Sequence, residues 1–240
     1  MRPLKPGDFA SMVGPSSNGE PISAEEAEKI LLEKLKKCEQ ELERTISDLA
    51  FLYGDTGRAD MGIQYLDRLV AYTADPERKA LYLLKMGAVM ESVEDYKAAV
   101  TFYAQALSLE PVGIGLSYFI NNNLGYCLNQ IERHAEAEPY CRAAIEIEPL
   151  RHNAYKNLGR SLEGQGQFKE AAEFYIRAVQ TNAADPRALI HLEDLVASHR
   201  ELLADVPDIQ AQIKKCRELV HIVLRRQDQI NEGSNKETIV

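Results

Sequence analysis

The chain has 240 residues, 45% of them hydrophobic and 27% charged, with a formal net charge of −9. That is the composition of an ordinary folded soluble protein, and the acidity disfavours non-specific binding to nucleic acid or to an anionic membrane surface. No apolar run reaches the 18 or so residues of a transmembrane helix, so no membrane insertion is expected.

Residues 1–22 hold Arg2 and Lys5 but no apolar stretch of the kind a secretory signal carries. Their Pro, Gly and Ser read as a disordered tail. Ser23 then opens the structure, with Glu26 three residues later as the second half of a capping box. The helix it starts runs without Gly or Pro to Tyr53, about 46 Å at 1.5 Å per residue. Its apolar residues Leu31, Leu35, Cys38, Leu42, Thr45, Leu49 and Leu52 alternate by four and three, which is a heptad seam. Such a seam serves either to extend the cap of the domain or, over Leu31 to Leu42, to pair with another chain.

Four units follow in phase. Leu158-Gly159 leads on to Leu162, Ala171, Tyr175 and Ala178. Leu124-Gly125 leads to Leu128, Ala137, Cys141, Ala144 and Pro149, and Met86-Gly87 to Met90, Ala99, Tyr103, Ala106 and Pro111. A worn copy starts at Leu49-Ala50 and passes Tyr53, Gly62, Leu66 and Leu69 before Pro76. Gly125 and Gly159 lie 34 residues apart, Gly87 and Gly125 38, and Ala50 and Gly87 37. Periods of this size mark stacked supersecondary units. The units span 43–76, 80–113, 118–151 and 152–186. Each is expected to be two antiparallel helices, with the small residue at 50, 87, 125 or 159 facing the small residue at 62, 99, 137 or 171. Larger side chains at 66, 103, 141 and 175 would then fill the gaps between hairpins. Two insertions stretch the period, Val112 to Leu116 and Thr181 to Asp185. A cap helix over 187–203 lacks the Leu-Gly pair. An amphipathic helix over 205–228 carries Ile209, Ile213, Cys216, Val220 and Val223 on one stripe. It is expected to dock on the preceding helix rather than detach, and 229–240 reads as a tail.

At the quoted positions the chain resembles the tetratricopeptide repeat family, whose pattern is an aromatic, then Leu-Gly, Tyr, Ala, Phe and Pro over about 34 residues. The match is closest in the third and fourth units and loosest in the first. The resemblance implies an all-α, right-handed α-solenoid of helix-turn-helix repeats, here with a long N-terminal helix and C-terminal capping helices. It also implies a non-catalytic, cytoplasmic scaffold or adaptor that takes a peptide or helix of another protein in its concave groove. Alternatives are a self-assembling structural protein, joined through its N-terminal or C-terminal helix, and a secretion chaperone or co-chaperone.

Chemistry-bearing motifs are missing from the sequence. There is no Gly-rich phosphate loop, no His-Glu-x-x-His and no close Cys pair, so neither enzyme activity nor a metal or other cofactor is expected. Cys38, Cys127, Cys141 and Cys216 are scattered and read as small hydrophobes in a reducing compartment. His191 and His199 read as surface residues of the cap helix, and His134 and His152 as solvated residues near turns.

Helical spacing from each Leu-Gly pair selects the side chains expected in the groove. They are Phe51 in the first unit; Leu81, Leu84, Lys85 and Ala88 in the second; Phe119, Asn122, Asn123 and Tyr126 in the third; and Asn153, Lys156, Asn157 and Arg160 in the fourth. Asn123 and Asn157 occupy equivalent places. An Asn side chain can bond both N–H and C=O of an extended backbone, and in several family members such a ladder grips peptide main chain. Lys156 and Arg160, one turn apart, suit an acidic group or a terminal carboxylate, or else pair with groove acids such as Glu163. Family co-chaperones spread a basic clamp over three units. Here the corresponding places hold Ser47, Phe51, Leu84 and Ala88, so the expected ligand has apolar anchors at the N-terminal end of the groove and an acidic or polar end near Lys156 and Arg160.

Overall fold

A computed structural model describes residues 23–203 and 208–237. Among them the secondary structure is helical throughout, in the order α1 (Ala24–Asp55), α2 (Ala59–Tyr72), α3 (Pro76–Ser92), α4 (Tyr96–Leu107), α5 (Ile114–Gln130), α6 (His134–Ile147), α7 (His152–Gly164), α8 (Phe168–Thr181), α9 (Arg187–Ser198), α10 (Arg200–Leu203) and α11 (Ile209–Glu237). The expected tails at 1–22 and 238–240 lie outside the described residues. Residues 229–237, expected as tail, instead continue α11. The cap helix expected over 187–203 breaks at His199 into α9 and α10.

Local chemistry places the helix starts. The Ser23 hydroxyl accepts the Glu26 N–H at 3.1 Å, Asp75 accepts from Glu77 N–H at 3.0 Å, and Asp95 accepts from Ala98 N–H at 3.0 Å. Each supplies an acceptor to a first-turn N–H that has no helical partner. Pro76 fills the first position of α3, where no N–H is needed. The four hairpin turns share one geometry. Gly57, Glu94, Glu132 and Gly166 all sit in the left-handed region, with φ of 71°, 60°, 61° and 76°. In each, the next residue's N–H reaches back five residues: Arg58 to Tyr53 O, Asp95 to Met90 O, Arg133 to Leu128 O and Gln167 to Leu162 O. This is the Schellman closure, which satisfies the last carbonyls of the first helix.

Packing within each hairpin explains the Leu-Gly pair, with one difference from expectation. A Cβ on Gly159 would lie 2.6 Å from Tyr175 Cε1, so the glycine makes room for the Tyr175 ring rather than for Ala171. Gly87 does the same for Tyr103, and Gly125 for Cys141. Small residues also meet in the first and third hairpins, where a Cβ on Gly62 would lie 2.7 Å from the Ala50 carbonyl oxygen and one on Gly125 3.3 Å from the Ala137 carbonyl oxygen. Tyr103, Cys141 and Tyr175 are fully buried. One core runs from Ala50 to Ala137, and a second from Cys141 through α8 and α9 to α11. Ile209, Ile213, Cys216 and Val220 are buried in the second, and Arg217 pairs with Glu193. The last helix therefore seals the open end of the stack, as terminal elements of solenoids do.

Candidate functional site: the concave face

Consecutive first helices touch, α1 with α3, α3 with α5 and α5 with α7, whereas no comparable contact joins consecutive second helices. The first helices thus form the inner wall of the superhelix. Along this wall the exposed apolar side chains are Phe51 (39%) and Phe119 (41%), with Leu81, Leu84, Ala88 and Tyr126 half-buried between them. Tyr126 stands edge-on to Tyr96, ring centres 6.1 Å apart. Lys85 donates to Ser47 Oγ at 2.6 Å; burial lowers its pKa and Asp48 opposes that.

A cleft of about 450 Å³ opens between the third and fourth units. It is lined by Phe119, Asn122, Asn123 and Asn153, with Arg151 and His152 at its edge. The Arg151 guanidinium covers the Phe119 ring at 4.9 Å and the Tyr118 ring at 4.8 Å, a cation–π cap on the aromatic wall.

The asparagines form the floor. Asn157 Nδ2 donates to Asn122 Oδ1 at 3.0 Å, and Asn122 Nδ2 donates to Asn123 Oδ1 at 3.0 Å. Asn123 Nδ2 reaches the Tyr103 hydroxyl at 3.4 Å, and that hydroxyl donates to Glu91 at 2.9 Å. Asn129 Nδ2 donates to the Asn157 carbonyl at 2.9 Å, and Ser161 donates to Asn129 Oδ1 at 3.1 Å. The two equivalent asparagines therefore sit differently. Asn157 is 4% exposed and ties α7 to α5; Asn123 is half-buried and lines the cleft. A network in which each member is satisfied fixes the floor in one geometry.

Beyond the floor the wall turns basic. Lys156 is 8% exposed and takes no hydrogen bond or ion pair among the described residues. Burial lowers its pKa, and the nearby Arg187 adds to that while Asp185 opposes it. The other charges here are matched. Arg160 pairs with Glu163 at 3.5 Å, and Arg187 pairs with Asp185 at 2.5 Å. The Arg187 bond holds the Asp185 carboxyl well below the usual carboxylate range. Arg187 also reaches Asn153 Oδ1 at 3.5 Å. The uncompensated charge of the groove is thus Lys156.

Four histidines differ from their sequence reading, and of these His199 is half-buried and stacks on Phe168, 3.8 Å between ring centres. His191 is half-buried and stacks on Tyr175, 5.5 Å between ring centres; burial, then Arg160, lowers its pKa. His152 bonds Asp185 at 2.9 Å, and His134 bonds Asn129 Oδ1 at 3.0 Å. Turn positions look solvated in a sequence, but in a stack each turn lies against its neighbour. Arg187 and His191 were missed as groove residues, although the period could have found them: each lies 34 residues beyond a selected position, Asn153 and Asn157. The lost Gly, replaced by Glu193, hid the continuation.

The tetratricopeptide repeat profile matches residues 118–182, which are the two hairpins that hold this floor and cleft. Over residues 118–182 the chain carries tetratricopeptide repeats. It is similar to small glutamine-rich tetratricopeptide repeat-containing protein 2 of Mycosarcoma maydis, 32% identical over 52% of this chain and 33% of that one. It is also similar to human tetratricopeptide repeat protein 7A, 27% identical over 43% of this chain and 12% of that one. The chain thus spans a third or less of the length of these relatives. Among solved structures it is similar to MamA 41-end from Desulfovibrio magneticus RS-1, with a TM-score of 0.58 and 26% identity over 75% of this chain and 93% of that one. Tetratricopeptide repeats are in general scaffolds for protein–protein interaction. Among the described residues no helix is long and apolar enough to cross a membrane, and no group of His, Cys, Asp and Glu is placed to hold a metal ion.

Proposed function

We propose that this protein is a non-catalytic adaptor that binds an extended segment of a partner protein along its concave face. The observation that carries the reading is the sequence of surfaces along one wall: exposed rings at Phe51 and Phe119, the cleft beside Asn123, and then the buried ammonium of Lys156. An extended chain needs apolar pockets for alternate side chains and polar groups for its backbone. Phe119, Leu84 and Tyr126 supply the first, and Asn123 supplies the second. Lys156 then takes an acidic side chain or terminal carboxylate as its counter-ion, with Arg160 and Arg187 at the rim. A charge-assisted bond in such a half-dry site is about twice as strong as a neutral one.

The combined substitution Asn123→Ala, Tyr126→Ala and Arg160→Ala tests the placement. Proteins captured from the native lysate by the wild type should be lost by the triple variant, and tiled peptides of the captured protein should bind only the wild type. Equal capture by both proteins puts the ligand elsewhere.

A further inference from the structure

Only the C-terminal half of α1 belongs to the stack. Ile46 and Ala50 join the first core, and Glu43 pairs with Arg78 of α3. Every residue from Leu31 to Leu42, by contrast, is exposed. The bare stretch is nevertheless not polar all round. Leu32, Leu35 and Leu42 are 58%, 55% and 57% exposed, and Leu31, Leu35, Cys38 and Leu42 follow one heptad stripe that continues through Thr45 and Leu52, which are exposed as well. In the covered half it is Ile46 and Ala50, one position round the helix from that stripe, that lie in the core. Tyr72, the last residue of α2, shares a cleft of about 650 Å³ with Leu42 and Ile46. The apolar stripe thus lies beside the face buried in the core and is open from Leu31 to Leu42.

We propose that the bare stretch pairs with the same stretch of a second copy, antiparallel and about a two-fold axis. Leu31 then meets the partner's Leu42, and Leu35 meets the partner's Cys38. The symmetry repeats both layers, as an isologous contact must. Two further features choose this occupant. Lys34 and Glu41 each directly precede a seam leucine, so antiparallel pairing sets Lys34 against the partner's Glu41 twice, once from each copy, and flanking charges decide partner and orientation. Neither side chain has an ion pair in its own chain among the described residues. The two-fold also falls between Lys36 and Lys37, the centre of the bare stretch, which sets the two solenoids at opposite ends of the pair. A parallel pair would match Lys34 with the partner's Glu39 and crowd both solenoids onto one end.

Light scattering on the full chain tests this. The mass should rise from 26.9 kDa toward twice that as concentration increases from about 5 to about 500 µM, the range of a small, two-heptad contact. Leu35→Glu should stay monomeric with unchanged helicity, because Leu35 packs on nothing in its own solenoid. Lys34→Glu should weaken the dimer at least tenfold, and Lys34→Glu with Glu41→Lys should restore it. A constant monomer mass at the highest concentration overturns the proposal, as does a dimer indifferent to Leu35→Glu. Rescue of Lys34→Glu by Glu39→Lys instead of Glu41→Lys overturns the antiparallel register.

Discussion

Replacing Lys156 by Met separates the two roles of a buried charge. Lys156 is 8% exposed, its ammonium has no acceptor among the described residues, and Arg187 adds repulsion. Met has a similar length and no charge. Substituting an apolar side chain for a buried charge that lacks a full set of partners is commonly neutral or stabilising. The free protein should gain about 1 kcal/mol, a rise in Tm of about 2–4 °C for a chain of this size. The pH dependence has a definite sign. The folded pKa lies below the ordinary lysine value, so the fold disfavours the proton. That penalty is fully present below the folded pKa and disappears as pH rises through it toward the ordinary value of about 10.4. The advantage of the variant should therefore be complete at pH 7 and vanish near pH 11. The same variant should bind an acid-ended peptide ligand at least tenfold more weakly, about 1.4 kcal/mol. Calorimetric unfolding at several pH values, with peptide titration, reads both effects. A variant that unfolds several degrees lower at pH 7 would mean that the ammonium is a stabilising partner in the fold, and the charge assignment of the groove would fail.

Glu132→Gly should raise stability by about 0.5–1 kcal/mol, because the left-handed φ costs a non-glycine residue about 1–2 kcal/mol and glycine gives back part of that in chain entropy; urea unfolding checks it, and a loss would show that the Glu132 side chain contributes to the turn. Gly159→Ala should cost about 1–2 kcal/mol net, since overpacking the Tyr175 ring costs about 1–3 and the better helix propensity returns about 1. Tyr175 cannot swing aside, for its hydroxyl donates to Glu163 at 2.6 Å. Asp185→Asn should destabilise by about 1–3 kcal/mol by loosening Arg187 and His152 from a charged acceptor. Because the folded pKa of Asp185 is depressed, its contribution is full above the ordinary carboxylate range and is lost progressively as pH falls from there through the depressed folded value. The gap between wild type and variant should therefore narrow in acid, which urea unfolding at pH 7 and pH 2 reads.

The period was legible because close helix packing demands small residues at fixed intervals, and Gly87, Gly125 and Gly159 each lie under a buried side chain of the second helix. What faces each glycine was not legible: Ala99 and Tyr103 lie on one helix, one turn apart, and only the crossing of the helices decides between them. Helical spacing groups Phe119, Asn122 and Asn123, and these three line one cleft. Spacing could not tell that Asn157 lies buried under Asn122 while Asn123 lines the cleft, since equivalent positions in a superhelix have unlike neighbours. Arg187 and His191 escaped because the Gly used as a ruler is Glu193 in α9. The partnered states of His134 and His152 depend on Asn129 and Asp185, which lie in other elements of the stack.

Site-specific photocrosslinking tests the concave-face assignment most directly. A benzophenone side chain in place of Phe119, on the inner wall, should crosslink the partner protein captured from the native lysate. The same probe in place of Gln105 or Gln180, exposed on the second helices, should not. Crosslinking that is equal at all three positions, or stronger at Gln105 or Gln180, would contradict binding in the groove.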